Sequence, residues 1–134
     1  DRANHGAIYR LLLVAGYKIH EAEVRNQLTI RTAAAALACE RYRLKHVRWP
    51  DSLDALVREK FLDTVPLDPM DNQPLRLRRT KDGLVVYSIG LDRADNEGNI
   101  NRERQLELGV DIGFQLWDVR QRRQPPVEAP EVIR

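Results

Sequence analysis

The sequence has little of what would mark a specialised class of protein. Its single cysteine, Cys39, cannot form a disulfide within the chain. It lies in an alanine-rich stretch, where the usual role is a small buried side chain. The two Trp, two Phe and four Tyr residues are scattered rather than interleaved with basic residues, unlike a surface that stacks nucleic-acid bases. A formal net charge of only +2 gives no reason to expect nucleic acid or an acidic membrane surface as a partner.

Long hydrophobic runs are also missing. The longest near the start, residues 11–16, is bounded by Arg10 and Lys18 and is far shorter than the roughly 20 residues that span a bilayer. The chain begins at Asp1 rather than Met and shows no signal peptide. We therefore expect a piece of a longer protein, with membrane contact only through a segment upstream.

Motifs for catalysis are missing as well. No nucleophile elbow, P-loop or glycine-rich dinucleotide motif occurs. Asp68 and Asp71 lie among prolines, which is typical of turn residues that bond to their own backbone rather than of an acid/base pair. His5, His20 and His46 are too far apart to share one helical turn and bind zinc. We expect no enzymatic activity here, with a hydrolase whose catalytic residues lie upstream as a remaining alternative.

What is present indicates one soluble α+β domain. The 134 residues, 43% apolar and 31% charged, suit a single globular core. We assign residues 1–120 to the domain, with residues 1–29 as a helical extension. The Arg- and Pro-rich residues 121–134 are expected to form a disordered tail.

The first third of the chain predicts a long helix. Residues 7–46 contain no proline, and apolar residues recur at helical spacing. They are Ile8, Leu11, Leu12, Ala15, Ile19 and Ala22, followed by Ile30, Ala33, Ala34, Leu37 and Leu44, with Arg41 interrupting the stripe. The alanines allow another element to approach closely. Gly16 leaves one long helix and two consecutive helices both open.

The rest of the chain predicts a short helix and a small sheet. Trp49-Pro50 ends the first helix, and Asp51 or Ser52 then caps a short one that ends near Phe61. Residues 63–74, with three prolines, predict an ordered loop. Residues 75–78 and 84–89 have the patterns of paired strands around a turn at residues 81–83, and residues 114–117 supply a third strand. The fold prediction is a long helix packed on about three antiparallel strands.

Three short stretches of the chain form a pattern together. The first, in residues 37–56, contains Arg48-Trp49-Pro50 and Leu53-Asp54-Ala55-Leu56. The second is Val65-Pro66-Leu67-Asp68-Pro69 with Asn72, and the third is Tyr87-Ser88-Ile89-Gly90-Leu91-Asp92 with Asp111-Ile112. In this order they resemble the ectodomain of the major pseudopilins of type II secretion, and also C-terminal domains of uncharacterised planctomycete proteins. The resemblance covers roughly residues 30–115.

The resemblance implies a long helix on a short antiparallel sheet, outside the cytoplasm. It also implies calcium binding in the loop after the second strand, with the Ile89 carbonyl, Asp92, Asp95 and Asp111 as ligands. The residues themselves favour this, because Asp92, Asp95, Asn96, Glu97, Asn99 and Asp111 place many oxygens in one loop and calcium takes six to eight. The alternative is that these residues only solvate and turn the chain.

The chain lacks the apolar helix half and the processing motif by which pseudopilins enter the membrane and stack into a fibre. We therefore expect a non-catalytic structural or interaction domain of a larger cell-envelope or secretion-related protein, stabilised by calcium and binding protein partners. Residues 7–25 extend beyond what a small sheet can cover, so their stripe should mediate self-association or fold back. The alternative is a binding module whose basic hairpin, with Arg76, Arg78, Arg79 and Lys81, contacts an anionic partner such as nucleic acid or polysaccharide.

Overall fold

A single unbroken helix accounts for the first third of the chain. The computed structural model describes residues 2–122, with side chains from residue 6 onward. Helix α1 spans Arg2–His46, 45 residues, and continues through Gly16, beside which no other element packs. It ends where Val47 adopts a left-handed φ of 58°, three residues before Pro50, which cannot continue a helix. Of the two alternatives, one long helix is therefore observed.

Helix α2 spans Leu53–Arg58 and is capped at its start by Ser52. The Ser52 hydroxyl accepts a hydrogen bond from the Ala55 amide at 3.2 Å, which satisfies one of the free amides of the first turn. Glu59 follows the last helical residue, so α2 is shorter than predicted. Its position is fixed by Leu53 and Leu56, both buried against the core.

Three antiparallel strands form the sheet. They are β1 (Arg76–Thr80), β2 (Gly83–Ser88) and β3 (Ile112–Trp117), in the order β1-β2-β3. A 3₁₀ turn, Val119–Gln121, follows β3. Helix α1 packs against β2 and β3, so the predicted α+β fold is confirmed. Strand β3 begins two residues earlier than predicted and ends at Trp117 as predicted, and the bounds of β1 and β2 differ from the prediction by one or two residues.

The core lies between the second half of α1 and one face of the sheet. The α1 residues that face it are Leu28, Thr32, Ala35, Cys39 and Tyr42, all at most 3% exposed. Leu84 and Val86 of β2 meet them from the sheet. Most of these α1 side chains are small, and small side chains bring a helix close to the surface on which it packs.

The stripe identified from the sequence lies on the opposite side of α1. At about 100° per residue, its members fall nearly half a turn away from the core residues. Ile30, Leu37 and Leu44 are 68%, 67% and 71% exposed. The expectation that the second half of the stripe packs on another element was therefore wrong, because Ile30, Leu37 and Leu44 point outward while mostly small side chains face the sheet.

The end of the described chain is attached to the body. The Arg122 guanidinium forms an ion pair with Glu40 of α1 and donates to the Trp117 carbonyl at 2.9 Å. Gln121 closes the 3₁₀ turn. The predicted tail was expected to begin at residue 121, and its remaining part, residues 123–134, lies outside the described residues.

Candidate functional site

The proline-rich loop is organised by one buried carboxylate. Asp68 is completely buried and accepts hydrogen bonds from the Met70 amide, the Ser88 hydroxyl and the Ile89 amide at 2.9, 2.8 and 3.0 Å. Arg76 Nη1 donates to it at 3.0 Å. Burying a charge is costly unless it is paired and fully bonded, and both conditions hold here. Asp68 therefore joins the loop to the end of β2 as a structural group.

Arg76 connects three acidic side chains. Besides Asp68, its guanidinium contacts Asp71 at 2.5 Å and Asp95 at 3.6 Å. Hydrogen bonding to Arg76 holds the pKa of Asp71 below its usual value. Asp71 also accepts from the Gln73 amide at 3.0 Å, as predicted for a turn residue. No local sequence pattern marks this hub, because the three carboxylates meet only when the two loops fold over β1.

The basic hairpin is less available than its sequence suggests. Arg78 donates to the Glu97 carboxylate at 3.0 Å and to the Glu97 carbonyl at 2.7 Å. Arg76 and Arg78 pair with Tyr87 and Val85 of β2, whereas Arg79 pairs with the core residue Leu84. Because successive side chains of a strand point to opposite faces, Arg79 lies on the other side. The basic residues of the hairpin therefore do not form one face.

Two of the four predicted calcium ligands are brought together in the loop between β2 and β3. The Asn96 side-chain amide donates to Asp92 Oδ2 at 3.1 Å and approaches Asp111 Oδ1 at 3.5 Å. Asp92 also accepts from the amides of Ala94 and Gly109, and Asp111 from the amides of Asn96 and Gly98. The two carboxylates thus converge on one donor, at the base of a loop that they hold closed.

The two carboxylates differ in their electrostatics. Backbone hydrogen bonds from Gly109 and Ala94 lower the pKa of Asp92. Asp111 is completely buried, and burial raises its pKa above the usual value despite three hydrogen bonds. Within residues 6–122, the ion pairs involve neither of them. Asp111 is therefore a buried acid with amide donors but no cation beside it in the described part of the chain.

The other two predicted ligands have different contacts. Asp95 accepts from the Tyr87 hydroxyl at 3.1 Å and from the Glu97 amide at 2.9 Å, and its second oxygen faces Arg76. Ile89 is buried at the end of β2, where its amide bonds to Asp68. Asp95 thus joins the Arg76 hub rather than the Asp92 and Asp111 pair.

Gly98 lets this loop approach the sheet closely. Gly98 has a left-handed φ of 78°, and a Cβ there would lie 3.2 Å from the side chains of Tyr87 and Val85. Its amide donates to Asp111 at 2.8 Å. A side chain would be disfavoured by the backbone conformation and would press on the outer face of the sheet, so Gly98 lets the loop lie flat on β2.

The donor set of the loop suits calcium in part. Within residues 6–122, no three His, Cys, Asp or Glu side chains converge as a metal site. This does not bear on calcium, which also takes backbone carbonyl and amide oxygens. Asn96 lies between Asp92 and Asp111, and half a turn of its amide would present oxygen to a cation instead of Nδ2. Arg93, adjacent to Asp92, is exposed and does not compete for that position.

A second candidate surface is the outward side of α1. We call it the outer stripe and define it by the predicted stripe residues together with Asn26: Ile8, Leu11, Leu12, Ala15, Ile19, Ala22, Asn26, Ile30, Ala33, Ala34, Leu37 and Leu44. Ile8, Leu12 and Ile19 are 56%, 65% and 69% exposed. No helix within residues 2–122 carries an apolar window sufficient to cross a membrane. The residue spacing found this surface, but only the structure places it away from the core.

Open grooves on the body offer little chemistry. One is lined by Gly98, Ile100, Arg102, Gln115 and Trp117, with Arg102 as its only charged residue. Another, beside α2, includes Asp51, Ser52 and Asp54 in its lining, and the Ser52 hydroxyl there is bound to the Ala55 amide as the helix cap. Neither groove brings together an acid, a base and a nucleophile in the way that catalysis requires.

Comparison of the chain with protein-family models, with characterised proteins and with solved structures gives no significant match to any of them. The resemblance to the major pseudopilins therefore stays an expectation that rests on the three sequence stretches.

Proposed function

We propose that this chain is a non-catalytic interaction domain, in which a small α+β body carries a helix whose outer stripe binds protein. The observation that supports this most is the uncovered apolar surface along α1. Monomeric soluble proteins rarely expose contiguous apolar patches larger than a few hundred Å². Large aliphatic side chains more than half exposed from Ile8 to Leu44 are typical of a protein interface.

The body supports a scaffolding role. Its buried polar groups, notably Asp68 and Asp111, are all bonded within the described residues, and they hold loops rather than line a cleft. Arg76 and Arg78 are engaged by carboxylates, so two of the four basic residues of the hairpin are already paired. A rigid body joined to a long exposed helix suits a domain that positions partners.

A partner would stabilise the first half of α1. Residues 6–20 are exposed throughout, so the body contributes little to holding them helical. Most helical stability in proteins comes from packing an apolar face rather than from intrinsic propensity. A binding partner on the outer stripe would supply that packing.

Calcium is part of the proposal as a stabilising ligand of the loop between β2 and β3. Asp92 and Asp111 would hold it with the Asn96 amide oxygen, and other oxygens of the loop would complete the shell. A cation there would offset the burial of Asp111. The location outside the cytoplasm, where free calcium is plentiful, is proposed on the pseudopilin resemblance alone.

Site-specific photo-cross-linking tests the interaction surface. In cells that produce the protein, a photoreactive phenylalanine analogue replaces Leu12 on the outer stripe. The control variant carries the analogue at Leu13 instead. Both residues are leucines on the same exposed turn, 65% and 57% exposed, but Leu13 lies off the stripe. We expect a discrete adduct from position 12 and none from position 13. Equal labelling from both positions, or none from either, would contradict the proposed surface.

Thermal unfolding tests calcium separately. A ligand that binds only the native state raises the midpoint, so calcium should raise it relative to a chelator, and Asp92→Asn should abolish the difference. Asp71→Asn is the matched control, since it also changes a half-buried loop carboxylate but lies in the Arg76 hub. Identical curves with calcium and with chelator would remove calcium from the proposal and leave the outer stripe untouched.

A further inference from the structure

The two sides of the outer stripe carry opposite charge in the first half of α1. Lys18 directly precedes Ile19 of the stripe, and Glu23 directly follows Ala22. At about 100° per residue they flank the stripe on opposite sides, and both are exposed. Glu23 lies five positions after Lys18 in the sequence. This is the spacing at which flanking residues of two parallel helices meet across an interface. Arg25 lies on the same side as Lys18, so that flank is basic.

These charges distinguish between the two ways of pairing this helix with a copy of itself. In a parallel pair, Lys18 of each chain faces Glu23 of the other, giving two attractive contacts by symmetry. In an antiparallel pair, each flank faces its own counterpart. The flank with Lys18 and Arg25 would then face itself and repel. The charge pattern therefore favours the parallel arrangement.

Asn26 adds a second, independent indication. It occupies the centre line of the outer stripe, between Ile19 and Ile30, and is exposed. Its side chain takes no part in the hydrogen bonds described within residues 6–122. A single asparagine in an apolar seam is a known device that specifies register, because it bonds to the same residue of its partner only when two parallel helices are aligned without offset.

The shape of the molecule permits this pairing. The sheet covers the side of α1 that carries Leu28, Ala35 and Cys39, nearly opposite the outer stripe, so the two bodies would lie on the outside of the pair. From Ile8 to Leu44 the stripe is about 54 Å long. With a helix diameter of about 10–12 Å, the pair would bury on the order of 1,200 Å², the lower end of the range for stable interfaces.

Resting on the proposed function of the outer stripe, we propose that its occupant is a second copy of this chain, aligned parallel and in register, with Lys18 of each copy paired to Glu23 of the other and Asn26 facing Asn26. Ala15 and Ala22 are the small residues that let the two helices approach. The domain is then a dimerisation module that holds two bodies side by side at the same end of the pair.

A charge exchange, followed by sedimentation equilibrium of the 134-residue chain at low salt, tests the pairing. Lys18→Glu and Glu23→Lys should each weaken dimerisation on the order of tenfold, because two weak surface pairs become two repulsions. The double variant should restore the wild-type Kd. Arg10→Glu, which alters an exposed charge of α1 off the stripe, is the control and should leave the Kd unchanged. Tighter dimerisation by Lys18→Glu alone would show an antiparallel pair and overturn the proposal.

Disulfide trapping checks the register. Ala22→Cys should form a dimer under mild oxidation, since parallel alignment brings residue 22 of both chains together, whereas Gln27→Cys, off the stripe, should not. Cys39 is buried and does not interfere. A chain that sediments at 15.5 kDa at every concentration would overturn the second-copy proposal. If position 12 then cross-links to a different protein, the proposed function stands; if it cross-links to nothing, both fail.

Discussion

Replacing the buried Asp68 by asparagine should destabilise the body more than the same replacement of an aspartate on the surface. The substitution keeps the size of the side chain and removes its charge. One oxygen can still accept from Met70 and Ser88. In the wild-type chain, the Ile89 amide and Arg76 Nη1 each lie 3.0 Å from Asp68 Oδ2. In the variant an NH₂ group replaces Oδ2 and faces these two donors. Two donors in a completely buried site would lose their acceptor.

The magnitude follows from the contacts that are lost. Hydrogen bonds to a charged group contribute about 1.5–3 kcal/mol each, and removing one partner of a buried ion pair costs about 3–5 kcal/mol. Arg76 keeps Asp71 as a partner, which argues for the lower part of that range. We expect a loss of about 3–4 kcal/mol, a large share of the roughly 5–15 kcal/mol that stabilises a domain.

Urea unfolding followed by tryptophan fluorescence measures this loss. Trp49 is 5% exposed and bonds to Asp118 at 2.6 Å, so its emission should report on the body. Ser88→Ala, which removes one neutral donor to Asp68, should cost about 1 kcal/mol. Asp63→Asn at an exposed position should stay within about 0.5 kcal/mol. An Asp68→Asn loss under about 1 kcal/mol would refute the role given to this carboxylate.

Three further predictions concern other groups. The Cys39 thiol should not react with a thiol reagent in the native state, because burial raises its pKa to about 12; reaction at the rate of the unfolded chain would contradict this. At a dilution where the chain is monomeric, Leu37→Asn should change the unfolding free energy by less than about 0.5 kcal/mol. Ala38→Asn should lower the unfolding free energy by about 1–3 kcal/mol because it overfills the core. Equal losses in the two variants would contradict the orientation of α1. Burial and the Asp95 hydrogen bond raise the pKa of Tyr87 to about 12. The unfolded chain therefore loses the hydroxyl proton at lower pH than the folded chain, and the unfolding free energy should fall between pH 10 and 12. In Tyr87→Phe the unfolding free energy should fall less steeply over the same range.

Much of the fold was predictable because the elements carry local signals. The proline-free first third, the Ser52 cap and the alternation around the turn at residues 81–83 each follow from short-range physical chemistry. The side of α1 that packs was not predictable by the same means. Small residues such as Ala35 and Cys39 face the sheet, so the larger and more hydrophobic side chains marked the wrong side as the core.

The candidate sites show the same division. The aspartates of the loop between β2 and β3 were recognised from composition, but composition could not separate Asp92 and Asp111, which converge on Asn96, from Asp95, which turns to Arg76. The fate of each carboxylate depends on how two loops fold over β1 and β2. Contacts between residues distant in sequence carry no local signature, and the Arg76 hub was missed for that reason.

Hydrogen exchange in residues 8–20 tests the central claim most directly. In a monomer these amides belong to a helix segment that the body does not cover, and they should exchange rapidly. In the proposed dimer they are protected. Raising the concentration of the purified chain should therefore slow their exchange while the exchange of β2 stays constant. Rapid exchange in residues 8–20 at every concentration, with β2 fully protected, would contradict a second copy on the outer stripe.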